Sequence, residues 1–93
     1  MTHKISILLV EDEKNICDFI AAALNAQDYK ITTAHSGQEA LPIITSQCPD
    51  LILLDLGLPD MDGIEIIRQV RTWASIPIIV LSARTQETEK VKE

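Results

Sequence analysis

Glu11, Asp12 and Asp55 each follow a run of apolar residues. Glu11 and Asp12 follow Ile5-Ser6-Ile7-Leu8-Leu9-Val10, and Asp55 follows Leu51-Ile52-Leu53-Leu54. A hydroxyl, Ser82, ends a further run, Ile78-Ile79-Val80-Leu81. Such runs read as strands buried on both faces of a parallel sheet. Open parallel sheets bind ligands beyond the carboxyl ends of their strands, so these groups are expected to converge on one edge. Carboxylates crowded there repel one another unless a hard divalent cation joins them. Mg²⁺ takes few carboxylates and keeps several waters, so it suits this sparse set. Glu11 and Asp12 would offer it one direct and one water-mediated contact. Asp55 is a candidate nucleophile, because carboxylate attack on phosphorus gives an acyl phosphate. The metal would neutralise charge developing on the transferred group. Ser82 would donate a hydrogen bond to a phosphoryl oxygen, and the small Ala83 would leave room for a donor or an attacking water.

Each residue also has a bland reading. An acid or a serine after a strand is commonly the N-cap of the next helix. The coincidence of Glu11, Asp12, Asp55 and Ser82 carries the functional reading, not any one of them. Asp60, Asp62 and Gly63 read as turn and cap residues. His3 and His35 have no partner at ligand spacing. Met61 and Trp73 read as packing or surface residues, and Arg84 as solvated surface or a modulator of access to the site. Cys17 and Cys48 lie in apolar helical patterns and are expected to be buried, reduced thiols.

Alternating strands and helices must position these groups. Strand patterns cover residues 4–10, 31–34, 51–54 and 76–81. The first helix is expected to bury Ile16, Phe19, Ile20, Ala23 and Leu24. Ser36-Gly37-Gln38-Glu39 has the capping-box form that starts a second helix. That helix carries Ala40, Leu41, Ile43 and Ile44, and Pro42 should bend or weaken it. Pro49 and Asp50 would stop it. Residues 58–63 form a loop rich in turn formers. A third helix follows with Ile64, Ile67, Val70 and Ala74 on one face, and a fourth begins near Thr85. The βαβαβαβ order predicts an α/β fold, a doubly wound parallel sheet with right-handed crossovers.

The 93 residues suit one small domain. A net charge of −6 and eight scattered basic residues argue against nucleic-acid or anionic-membrane binding by this segment. No stretch is apolar enough for a membrane span and no signal-peptide pattern opens the chain, so a cytoplasmic location is expected.

Three stretches resemble the receiver domains of two-component response regulators. They are Leu8 to Glu13, Asp50 to Gly63, with its string LDLGLPDMDG, and Pro77 to Arg84. The resemblance spans nearly the whole chain at family spacing. It implies a flavodoxin-like, CheY-like fold with strand order 2-1-3-4. It also implies that Asp55 accepts a phosphoryl group from a phosphohistidine on a sensor histidine kinase. Glu11, Asp12, Asp55 and the Gly57 carbonyl would hold Mg²⁺, and Ser82 would contact the phosphoryl group and act as the switch. By the same resemblance the domain is no enzyme beyond its own phosphorylation and dephosphorylation. In regulators of the OmpR class, phosphorylation drives dimerisation and DNA binding by a separate winged-helix domain, which this chain lacks.

The chain departs from the family in lacking the fifth strand, its lysine and its aromatic switch residue, and the last helix. Lys90 and Lys92 lie on the expected fourth helix and cannot replace that lysine. Residues 1–93 therefore read as a receiver domain incomplete at its C-terminus. Strand four would then be an exposed apolar edge, and homodimerisation through it is expected. Three alternatives stand beside this. One is a relay receiver without DNA output. Another is a phosphatase of the haloacid dehalogenase kind, although Gly57 occupies the place of that family's second aspartate. The third is a nucleotide- or flavin-binding module, which the absence of a glycine-rich phosphate loop disfavours.

Overall fold

The computed structural model describes residues 4–81. Four strands alternate with three helices. They are β1 (Ser6–Val10), α1 (Lys14–Asn25), β2 (Lys30–Ala34), α2 (Gly37–Gln47), β3 (Leu51–Leu54), α3 (Gly63–Arg71) and β4 (Ile78–Val80). The strands form one parallel sheet in the order β2-β1-β3-β4, as expected.

The strands with unbroken apolar runs sit at the centre. β1 lies between β2 and β3, with Leu9 beside both Thr33 and Leu53. Its side chains alternate between two cores. Leu8 and Val10 join Ile52, Leu54, Ala40, Ile44, Ile66 and Val70 on the face covered by α2 and α3. Ile7 and Leu9 join Leu53 and Cys17 on the face covered by α1. Both faces are apolar because both are covered. Fully burying one such leucine or isoleucine contributes about 1.5–3 kcal/mol, so the centre of the sheet is a firm base for whatever follows its strands.

Two helices are turned somewhat from the face the spacing suggests, although Ile20 and Leu24 of α1, and Ile67, Val70 and Ala74 in and after α3, pack inward as expected. On α1, Cys17 is buried, and Ile20, Ala21 and Leu24 pack beside it. Phe19 is 75 % exposed, and Ile16 and Ala23 also face outward. The helix carries two overlapping apolar stripes, and the sheet selects the one containing Cys17. On α3, Ile66 and Val70 are buried while Ile64 is exposed. The helix ends at Arg71, before Ala74.

The expected capping box is present with one variation. Ser36 Oγ accepts from the Glu39 N–H, but Glu39 Oε1 accepts from the N–H of His35, one residue before the cap. Pro42 does not end α2, which continues to Gln47 with Ala40 and Ile44 buried around it. Tertiary packing outweighs the lost backbone donor. Cys48 is exposed, contrary to expectation, because it ends α2 in the left-handed conformation at φ 45°. The strand at residues 76–81 shortens to Ile78–Val80, with Pro77 outside it. β4 is the end strand of the described sheet, and Ile79 and Val80 are exposed on it.

Candidate metal centre

Hydrogen bonding continues past the strand ends and fixes the residues that follow. The Glu11 N–H donates to Ala34 O of β2 at 3.0 Å. The Asp55 N–H donates to Val10 O of β1, also at 3.0 Å. The two acid-bearing positions are thus clamped to neighbouring strands. Their side chains are almost fully buried: Glu11 is 3 % exposed and Asp55 1 %. Asp12 is half-buried beside them.

The three acids meet. One carboxylate oxygen from each of Glu11, Asp12 and Asp55 lies within 4.8 Å of the other two. Oxygens facing each other across an octahedral Mg²⁺ are about 4.2 Å apart, so small side-chain adjustments bring this set around such an ion. The donors are all hard oxygens, as Mg²⁺ requires. The acids therefore fit the metal that their residue types suggest.

Helix capping does not explain Asp55. α3 has its own cap, Asp62, whose Oδ1 accepts from the Ile64 N–H at 3.1 Å. α1 is capped at Glu13, which makes no side-chain capping bond. Local backbone donors instead orient two of the acids. The Glu13 N–H donates to Glu11 Oε2 at 3.0 Å, and the Gly57 N–H donates to Asp55 Oδ1 at 3.2 Å. The second bond places Gly57, the residue expected to offer a carbonyl, against Asp55 itself.

The loop between β3 and α3 is closed on itself. The Gly63 N–H donates to Leu56 O at 3.3 Å. A Cβ at Gly63 would lie 2.7 Å from Leu56 Cα, so this close approach requires glycine. Asp60, read from sequence as a local turn or cap residue, reaches across to α2. Its carboxylate accepts from the N–H groups of Gly37 at 2.8 Å and Gln38 at 2.9 Å. These bonds, that from Gly37 foremost, hold its carboxyl below the usual aspartate range. The partners are 23 and 22 residues away in the chain, so no local pattern announces the contact. Ser82, Ala83, Arg84, Lys90, Lys92 and His3 lie outside the described residues. His35 uses its backbone on Glu39.

A parallel sheet in this order, with three acids at its carboxyl edge, defines a class of signalling domain. Residues 7–93 match the response regulator receiver domain family, and the chain belongs to it. It is 46 % identical over 86 residues to the KDP operon transcriptional regulatory protein KdpE of Escherichia coli (strain K12). That match covers 92 % of this chain and 38 % of the relative, so the chain spans well under half the relative's length. Among solved structures, the receiver domain of Francisella response regulator 1452 superposes with a TM-score of 0.82 at 32 % identity, covering 86 % of this chain and 67 % of that one. Response regulator TrrA from Thermotoga maritima, in complex with Mg(2+)-BeF, gives 0.81 at 33 % identity, covering 94 % and 76 %. Receiver domains bind Mg²⁺ at an acidic pocket, and here Glu11, Asp12 and Asp55 form such a cluster. No helix among the described residues is long and apolar enough to cross a membrane.

Proposed function

We propose that this chain is a phosphoacceptor receiver in which Asp55 takes a phosphoryl group from a sensor histidine kinase. The observation that carries the reading is the convergence of Glu11, Asp12 and Asp55, two of them almost fully buried, at the carboxyl edge of the sheet. An Asp55 carboxylate oxygen attacks phosphorus, the phosphorus–nitrogen bond of the donor phosphohistidine breaks, and its electron pair stays on the imidazole nitrogen. An acyl phosphate results. Glu11, Asp12, Asp55 and the Gly57 carbonyl would hold Mg²⁺, which supplies compensation for charge on the transferred group. The Gly57 N–H orients the nucleophile through its bond to Asp55 Oδ1. On this reading Ser82 would contact the phosphoryl group and act as the switch, and Ala83 would leave room for a donor or an attacking water. The chain catalyses only its own phosphorylation and dephosphorylation. Gly57, where a haloacid dehalogenase has its second acid, speaks against a phosphatase.

The likeness to KdpE supports a role, in the whole protein, in regulating transcription from the cytoplasm, with DNA bound by a further C-terminal domain. Residues 1–93 are on this reading the larger part of a receiver domain that is incomplete at its C-terminus. The exposed Ile79 and Val80 of β4 support self-association as a homodimer, which a strictly monomeric mass in light scattering at high concentration would remove.

Intact mass after exposure to acetyl phosphate and Mg²⁺ tests the central claim. The wild type should gain one phosphoryl mass and Asp55→Asn none. A wild type that stays unlabelled even with a kinase partner supplied sinks the phosphoacceptor reading.

A further inference from the structure

The contact between the β3–α3 loop and α2 joins parts of the molecule that the chemistry does not otherwise connect. Asp60 lies in the loop that leaves Asp55 and carries Gly57. Its two carboxylate oxygens accept from the first two N–H groups of α2, one each, from Gly37 and from Gln38. Those donors have no partner within the helix, so an outside acceptor is needed and an anionic one is favoured. α2 does not lack a cap of its own, since Ser36 Oγ serves the Glu39 N–H. Asp60 therefore adds a bond between elements to a helix start that is already capped.

Packing reinforces the contact. Gly37 is buried, and a Cβ there would overlap the Met61 side chain. Glycine at the start of α2 thus lets Met61 lie directly on the helix, next to the Asp60 bonds. At its other end the loop is closed by the Gly63 N–H to Leu56 O bond. Three restraints act on the residues between Asp55 and α3. They are the Gly57 N–H to Asp55 Oδ1 bond, the Leu56–Gly63 closure and the Asp60–Met61 seat on α2. Of these three the last ties the loop to a different element of the fold, alongside the burial of Leu58 in the core.

We infer that Asp60 is a positioning residue for the metal centre: by seating the β3–α3 loop on the start of α2, it fixes where Gly57 stands relative to Asp55, Glu11 and Asp12. The inference rests on the proposed role of Gly57 as a Mg²⁺ ligand and adds the residue that holds it in place. Asp60 touches neither metal nor phosphoryl group. Its contribution is to keep the loop from sampling positions in which the carbonyl is turned away. Outer supports of metal ligands typically change affinity by about 10–100-fold when removed, and Asp60, exposed and acting through several residues of backbone, belongs at the low end.

Mg²⁺ titrations of the wild-type, Asp60→Ala and Asp60→Asn chains test this, followed through the backbone amide signals of Asp12 and Gly57. Asp60→Ala should need about tenfold more Mg²⁺ for half-saturation while reaching the same saturated spectrum. Asp60→Asn, whose Oδ1 can still accept one of the two bonds, should recover part of that loss. A purely structural cap would lower the melting temperature and leave the Mg²⁺ midpoint of the folded protein where it was, and that result overturns the inference. Should Asp60→Ala fail to fold, Asp60→Asn against wild type decides on the same midpoint. A wild type that binds Mg²⁺ but takes no phosphoryl group sinks the phosphoacceptor reading alone. An unmoved midpoint in Asp60→Ala, with a wild type that is labelled, sinks the Asp60 role alone.

Discussion

Two aspartates flank β3, and they live at opposite ends of the sheet. Asp50 precedes the strand, is exposed, and accepts one bond from the Ser6 N–H at 2.8 Å. Asp55 follows the strand, is 1 % exposed, and shares its surroundings with two more carboxylates. The residue type is the same and the separation is one short strand. At the amino end a carboxylate finishes the hydrogen bonding of β1 and is otherwise in water. At the carboxyl end the fold gathers negative charge where water is scarce, which costs stability unless a cation balances it. One end of the sheet serves the fold, and on the proposed function the other serves a cation.

The largest test of this contrast is a reversal of sign. Neutralising Asp55 as Asp55→Asn should stabilise the Mg²⁺-free protein, by on the order of 1–3 kcal/mol, because it relieves repulsion among three clustered acids. It should also blunt the rise in melting temperature that Mg²⁺ gives the wild type. Thermal unfolding with and without Mg²⁺ reads both effects, and a destabilised Mg²⁺-free variant would erase the contrast. Asp50→Ala should do the opposite. It should cost about 1 kcal/mol for the lost bond to Ser6 and leave the Mg²⁺-induced stabilisation intact. A Mg²⁺ response that falls in this variant would mean the two ends are coupled.

The smallest effect concerns Asp60, which works for the fold with its charge. Its folded pKa lies below the unfolded value because of its backbone donors. The stability it adds is therefore fully present above the unfolded pKa, about 3.9, and is lost as pH falls through the folded value. The melting-temperature gap between wild type and Asp60→Ala should hold steady from neutral pH to about 4.5 and narrow below about 4. A gap independent of pH down to the acid limit would show that the bonds matter only as geometry.

What is legible in the chain itself follows from local physics. Leu51 to Leu54 is apolar at every position, which only a strand covered on both faces tolerates, so the acid after it had to sit at a sheet edge. Ser36 and Glu39 announce a helix start within four residues of chain. The two stripes on α1 could not be ranked in the same way. Ile16-Phe19-Ala23 and Cys17-Ile20-Leu24 are both apolar at helical spacing, and only the position of the sheet buries Cys17 and leaves Phe19 in water. Ile64 and Ile66 on α3 pose the same choice, with the same kind of answer.

The sequence by itself thus determined the order of elements, the acids that end the central strands, and so the kind of chemistry available at that edge. Periodicity and strand ends are encoded by near neighbours along the chain. Tertiary structure alone decided which helix faces are buried and that Asp60 reaches across to the start of α2. Those outcomes depend on contacts between segments tens of residues apart, where no spacing rule in the chain can register them.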